Sequence, residues 1–325
     1  MNTKPNLLAA AAAGDPRAQL ALAHFMLTGR AAAPSADEPA RLVAAACAQN
    51  FTEALLYHAM LAALGVGRAQ SFEAAFALLA QAAELGHPDA RAQLRALEHG
   101  FGNGSGHGLG ERGAFDARPW LAPPPLRQQA QSPRIFMAEN FLPRAACEWL
   151  IEQAGRRLAR AQVRQGSHVS VVGEERTNSV AGSSMLEPDL VMQLTRLRIA
   201  ATIGQAVNQL EPTNILHYNI GEEYRPHYDI VRPKEVIDFE ADLRAHGQRL
   251  VTVLVYLNEG YEGGETEFPL LQQRFKGKPG DALIFWNLSE AQELERYSLH
   301  AGLPVVAGEK WLLSQWVRQR ALPLR

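Results

Sequence analysis

His227 and Asp229 are separated by one residue; His300 lies far downstream, and Lys310 follows it by ten positions. Two neutral imidazoles and one carboxylate make a ligand set that holds Fe(II) on one face and leaves the other positions open. On a strand, residues i and i+2 project to the same side, so the single intervening residue lets both first ligands reach one ion. A His-X-Asp tripeptide alone reads by default as a surface turn. The ordered set of four carries the specificity. Lys310 is placed to pair with the carboxylate of an organic acid co-substrate.

Two further segments reinforce the set: 263–269, which runs Gly263, Gly264, Glu265, Thr266, Glu267, Phe268, Pro269, and 280–286, which opens on Gly280 and Asp281 and ends on Phe285 and Trp286. With these residues in place, the segment 214–317 resembles the catalytic core of the prolyl 4-hydroxylase-like branch of the 2-oxoglutarate- and Fe(II)-dependent dioxygenases. Weaker similarity extends back to about residue 134. The resemblance implies Fe(II), 2-oxoglutarate and O2 as cofactors, with ascorbate as reductant. It also implies hydroxylation of a C–H bond with release of succinate and carbon dioxide. His227, Asp229 and His300 match the metal ligands and catalytic centre, and Lys310 matches the basic residue that holds the distal carboxylate of 2-oxoglutarate.

Tyr218 and Thr252 correspond to residues whose hydroxyls assist that carboxylate; simple strand filling is the alternative. Tyr224 and Trp316 match positions near the iron and the substrate, with an aromatic core role as the competing reading. Arg249 opens a strand and either contacts substrate or makes an ion pair. His217 precedes Tyr218, faces the other side of its strand and is read as non-ligating. His246 is read as solvated. The segment 176–179 is similar to an Arg-Thr-Ser stretch that borders the family's active-site mouth, but the bulky residue that often follows it is missing near Ser183 and Ser184.

The elements that must position these residues read as strands at 215–220, 249–257, 282–286 and 311–317, by alternation or by short β-branched runs bounded by Gly, Pro and Asn. With shorter strands near His227, Thr266 and Val305 the count is about eight, which fits a double-stranded β-helix, a jelly-roll barrel. A first strand falls at 135–137, a helix at 144–158, and an amphipathic helix at 191–210 backs the sheet. The loop 230–248 covers the mouth.

The first third of the chain is a repeat. A spacing of 36 residues relates Ala18, Ala54 and Ala90, then Ala10, Ala46 and Ala82, then Leu7, Val43 and Leu79. Gly14, Asn50 and Gly86 share the turn position, where a left-handed conformation closes a helix. Small residues in register let paired helices approach closely, which gives an α/α solenoid. Residues 5–99 resemble Sel1-like repeats, relatives of the tetratricopeptide array, with fewer than three complete units visible. Such arrays bind proteins on a concave surface; the alternative is a cap that only supports the neighbouring domain.

The fold class is therefore α+β and multidomain: helical repeats over 1–99, a Gly/Pro-rich linker over 100–133, and a jelly-roll catalytic domain with supporting helices over 134–325. A chain of 325 residues suits two domains of roughly 100–200 residues each. A net charge of -2 and a pI near 6.6 give no footprint for nucleic acid, and no stretch reaches the roughly 18 apolar residues of a membrane span. The alanine run 9–13 after Lys4 is a repeat helix rather than a signal peptide. Cys47 and Cys147 fall in different domains, so a reducing, cytoplasmic compartment is expected. The leading function is hydroxylation of a prolyl residue in a protein or peptide, recruited by the repeats. The alternatives are the same iron chemistry on another side chain or a small molecule, or a repeat adaptor with a silent barrel.

Overall fold

Alanine-rich sequence at the start of the chain forms six helices: α1 (Lys4–Ala12), α2 (Pro16–Leu27), α3 (Glu38–Cys47), α4 (Thr52–Leu64), α5 (Phe72–Glu84) and α6 (Pro88–Glu98). The three intra-pair turns pass through left-handed residues, with φ of 91° at Gly14, 58° at Asn50 and 95° at Gly86. These are the positions related by the 36-residue spacing. Ala46, Ala54, Ala82 and Ala90 are fully buried together with Val43 and Leu79, so the smallest side chains stand where the helices approach. Asp15 caps α2 by accepting from the Arg17 and Ala18 amides, and Ser71 caps α5 through the Ala74 amide. The result is three helix pairs, more than the sequence made visible, with most of the alanine run 9–13 in α1.

This computed structural model describes residues 4–35, 37–98, 100–101, 115–160, 163–165, 169–171, 175–233 and 235–323. Most of the glycine-rich joint at 100–113, with His107, lies outside the described residues. Contacts divide the chain into two units: Met1–Leu121 with Ser184–Leu197 and Leu324–Arg325, and Ala122–Ser183 with Arg198–Pro323. The first unit adds a short helix, α7 (Arg118–Leu121), in which Trp120 is buried edge-on against Phe101.

The second unit carries sixteen strands among the described residues. Those of its N-terminal half are β1 (Arg127–Gln131), β2 (Arg134–Ala138), β3 (Ala159–Arg160), β4 (Val163–Gln165), β5 (Val169–Val171), β6 (Ser179–Ser183), β7 (Thr213–Tyr218) and β8 (Tyr224–His227). They are followed by β9 (Arg249–Tyr256), β10 (Glu262–Gly263), β11 (Thr266–Phe268), β12 (Gln273–Phe275), β13 (Ala282–Trp286), β14 (His300–Gly302), β15 (Val305–Ala307) and β16 (Lys310–Arg318). An antiparallel eight-stranded sheet has the order β1-β2-β13-β9-β16-β7-β6-β3, and a four-stranded sheet has the order β12-β11-β14-β8. The two sheets share one core, in which Phe268 of β11 meets Phe285 of β13 edge-on at 5.1 Å between centroids. Tyr256, Leu254 and Leu312 complete it from β9 and β16.

Two features depart from the sequence reading. Strand β1 lies inside the stretch read as linker; its polar, half-exposed sequence fits the sheet edge it occupies. The helix expected over 191–210 is α9 (Leu190–Ile203), which ends earlier, and its residues up to Leu197 group with the helical unit. The buried side chain of Gln93 explains the grouping, since its Oε1 accepts the Leu190 amide at 2.7 Å at the start of α9. Two more helices complete the set, α8 (Arg144–Gly155) and α10 (Phe239–His246), the latter inside the loop 230–248 and capped by Asp238.

The repeat turns give a direct test. A β-branched side chain is strained at positive φ, so Gly86→Val is expected to lower stability by about 1–3 kcal/mol. Asn50→Gly relieves the same strain and is expected to change it by less than about 1 kcal/mol. Chemical unfolding followed by circular dichroism reads both, and a Gly86→Val chain as stable as its parent would refute the shared turn geometry.

Candidate metal centre

The two histidines come together because β8 and β14 are neighbours and His227 stands directly opposite His300. Pro226 fits within β8 because that strand is last in its sheet, bridged on its outer side through Tyr224 to Arg176. The strand stops at His227, so Asp229 sits just beyond it and not on it, yet its side chain still turns inward and is buried. His227 Nε2 lies 3.5 Å from Asp229 Oδ1, and His300 Nε2 lies 3.5 Å from Asp229 Oδ2. Each histidine directs its Nδ1 at a backbone carbonyl, Arg225 O at 2.8 Å and Ser298 O at 2.9 Å. A carbonyl only accepts, so Nδ1 carries a proton, and in the neutral ring Nε2 is then the nitrogen with a lone pair to offer a metal.

All three donor atoms lie within 4.8 Å of one another. Burial works against the Asp229 charge, but the facing imidazoles of His300 and His227 outweigh it and hold its carboxyl well below the usual range. Burial, then the nearby His300, pushes His227 down, toward the neutral form that a metal requires. Tyr224 stacks on the His227 ring at 3.5 Å between centroids, and the Arg176 guanidinium lies 4.8 Å from the Tyr224 ring centre.

These groups open into a cleft of about 400 Å3, including its mouth. One wall is β16, whose alternate residues Lys310, Leu312, Ser314 and Trp316 all line it, as the two-residue period of a strand requires. Lys310 pairs in register with Tyr218 of β7, and its Nζ lies 5.1 Å from that ring centre. The ammonium is almost fully buried and donates to Gly264 O at 2.6 Å. Burial pushes its pKa down to about 7, against the pull of Glu265. Gly264 has a φ of 67°, which disfavours a side chain, and a Cβ there would crowd Lys310 Cδ at 3.2 Å.

Not every expected contact is made. Thr252 does not line the cleft; its hydroxyl donates to Asp229 Oδ2 at 2.9 Å, which commits its one proton to that carboxylate and not to a co-substrate. Arg249 is absent from the cleft as well. Its guanidinium makes two contacts to Glu211, at 2.9 and 3.0 Å, and a third to Glu235 at 3.2 Å, which commits it to internal carboxylates. It also stacks 3.8 Å over the ring of Trp316, so Trp316 lines the cleft with a cation behind it. The Trp316 Nε1 is buried with no acceptor among the described residues. His217 bonds Glu309 at 2.7 Å, away from the metal set, and His246 bonds Ala321 O at 2.7 Å.

Some residues in or next to the site escaped the sequence reading of individual roles. Thr266 and Ser314 line the cleft. Thr266 stands in the Gly-Gly-Glu-Thr segment already singled out, and Ser314 falls two residues from Trp316 and four from Lys310, so strand periodicity could have found both. Asn287 touches Thr252 and carried no signal in the sequence.

The profile of the 2OG-Fe(II) oxygenase superfamily matches residues 213–318, which contain all four of these side chains. "Probable prolyl 4-hydroxylase 7" of Arabidopsis thaliana is 33% identical over 218 residues, 61% of this chain and 67% of its own. The chain belongs to the prolyl 4-hydroxylase-like 2OG-Fe(II) oxygenases. It is a 2-oxoglutarate-dependent dioxygenase, and Fe(II), 2-oxoglutarate and O2 are the cofactors of its family. Among solved structures, the viral collagen prolyl hydroxylase of Paramecium Bursaria Chlorella virus-1 aligns with 26% identity and a TM-score of 0.44, over 57% of this chain and 95% of its own. A Sel1 repeat protein from Oxalobacter formigenes aligns with 26% identity and a TM-score of 0.28, over 30% of this chain and 74% of its own.

The residues present suit the oxygenase cofactors. Imidazole nitrogen and carboxylate oxygen suit a first-row divalent ion, which contacts such donors at about 2.0–2.2 Å. A buried ammonium with one carbonyl partner suits a carboxylate.

Arg249 supplies the test of the correction made above. Breaking a buried ion pair strands the remaining charge, so Arg249→Met is expected to lower the oxygenase's unfolding free energy by about 3–5 kcal/mol. Urea unfolding measures this; unchanged stability with a raised KM for substrate would restore the substrate-contact role.

Proposed function

We propose that this dioxygenase hydroxylates a prolyl residue of a protein or peptide, with release of succinate and carbon dioxide. The observation that carries the reading is the convergence of His227, Asp229, His300 and Lys310 on one cleft. Similarity to the probable prolyl 4-hydroxylases of Arabidopsis thaliana supports the prolyl substrate. In this reading the catalytic unit is a double-stranded β-helix, and the Sel1-like repeats recruit the target. Cys47 and Cys147 are free, which suits a reducing compartment such as the cytoplasm. Among the described residues no helix is long and apolar enough to cross a membrane.

His227, Asp229 and His300 hold the iron. Lys310 holds the distal carboxylate of 2-oxoglutarate, with Tyr218 and Thr266 beside it. When bound, iron and 2-oxoglutarate supply oxidative decarboxylation, which activates O2 for transfer of one oxygen atom to a C–H bond, and ascorbate restores iron oxidised without turnover. Tyr224 and Trp316 flank the site and exclude water from the reacting atoms. Arg176, at the mouth, is placed to orient the peptide.

Succinate release with Fe(II), 2-oxoglutarate and a proline-containing peptide tests the activity, together with mass spectrometry for a gain of one oxygen atom. Turnover is expected to vanish in His227→Ala and to fall at least about a hundredfold in Lys310→Ala, where a charge-assisted contact of about 3 kcal/mol is lost. Succinate release with no change in any proline peptide would move the substrate to another side chain or a small molecule.

Lys310 also fixes a pH dependence. A bound carboxylate raises the proton affinity of an ammonium whose pKa is pushed down to about 7 in the free site. Binding of 2-oxoglutarate is therefore full below about pH 7 and weakens as pH rises, by up to about tenfold per unit. Calorimetric titration between pH 6 and 9, with Lys310→Arg as the always-charged control, reads the slope; equal slopes in both would contradict it.

A further inference from the structure

Asn287 directly follows β13 and is completely buried. Its Nδ2 bonds Thr252 Oγ1 at 2.9 Å, and Thr252 Oγ1 bonds Asp229 Oδ2 at 2.9 Å. The proton inventory sets the direction of this chain. An ionised carboxylate only accepts, so the single hydroxyl proton of Thr252 goes to Asp229. Thr252 is then left with lone pairs, and only the amino end of the Asn287 amide can meet them. The other end pays for this arrangement: Asn287 Oδ1 is buried with no donor among the described residues. The contact to Thr252 is therefore held at a cost in stability.

The backbone of Asn287 is held on both sides. Its N–H donates to Leu250 O at 2.9 Å, and its carbonyl accepts the Glu295 amide at 3.0 Å. Leu250 lies two residues from Thr252, and Glu295 opens the turn that leads through Ser298, the Nδ1 partner of His300. One residue thus ties the strand behind Asp229 to the segment that delivers His300.

We propose that Asn287 and Thr252 are positioning residues for the metal carboxylate. Thr252 engages one oxygen of Asp229, and Asn287 fixes the hydroxyl rotor that makes the contact. Together they lock rotation of the carboxylate, so that it faces both Nε2 atoms as the metal requires. The relay rests on the metal-centre reading above, and outer hydrogen bonds of this kind typically change metal affinity by about 10- to 100-fold when removed.

Co(II) serves as the probe, since its visible absorption reports ligand geometry independently of turnover. The full chain is expected to bind one Co(II), with Thr252→Val and Asn287→Ala each weakening it about 10- to 100-fold and altering the visible bands. Thr252→Ser keeps the hydroxyl and is expected to restore both affinity and spectrum, which a loss of packing alone would not allow. Thr252→Val preserves shape and carries the test if Asn287→Ala does not fold. Wild-type affinity and an unaltered spectrum in Thr252→Val would overturn the relay while leaving the metal centre intact. Failure of the parent chain to bind Co(II) any better than His227→Ala would overturn the metal centre, and the relay with it.

Discussion

A buried carboxylate has to be paired, and Asp229 is the charge around which the catalytic unit is arranged. Desolvation alone would neutralise it. Two imidazoles and a threonine hydroxyl keep it ionised instead, and each arrives on a different element: His227 on β8, His300 on β14 and Thr252 on β9. The four-stranded sheet contributes the histidines and the eight-stranded sheet contributes the hydroxyl. The site exists only where the two sheets face each other across the core of Phe268, Phe285 and Tyr256. Two neutral imidazoles beside a carboxylate also describe a pocket that favours a divalent cation, which would neutralise the carboxylate and use both Nε2 lone pairs.

The same division of labour governs the far end of the cleft. Lys310 is a second buried charge, of opposite sign and with one carbonyl partner, which suits it to a carboxylate. The distance between the two charges is bridged by one face of β16, which runs from Lys310 past Ser314 to Trp316. Behind Trp316 the charges are self-contained: Arg249 and Arg318 share Glu211, and Arg318 is paired with Asp242 of α10. The chain therefore separates charges that are satisfied internally from charges held open for ligands. That distinction removes Arg249 from the list of substrate contacts.

Much of this was legible in the residues. The strands 282–286 and 249–257 followed from residue type and period, and the ligand set and the lysine from residue type, order and the family resemblance. The i and i+2 argument for His227 and Asp229 did not hold, since the strand ends at His227. The repeat turns followed from Gly14, Asn50 and Gly86, the residue types that tolerate positive φ. What stayed hidden depended on contacts between distant segments. Nothing in the neighbourhood of Thr252 distinguishes a hydroxyl aimed at Asp229 from one aimed at a ligand. Nothing near Asn287 marks it at all. Strand β1 was missed because an edge strand needs no apolar alternation, and the grouping of Leu190 through Leu197 with the helices turns on one buried amide, Gln93.

The central claim is that one ion and one keto-diacid are held together in this cleft. The most direct measurement is anomalous diffraction from crystals of the chain grown with Mn(II) and 2-oxoglutarate without oxygen. The expected result is a single peak about 2 Å from His227 Nε2, His300 Nε2 and an Asp229 oxygen, with the distal carboxylate of the diacid against Lys310 Nζ. A peak elsewhere, or a diacid that leaves Lys310 bonded only to Gly264, would contradict the account.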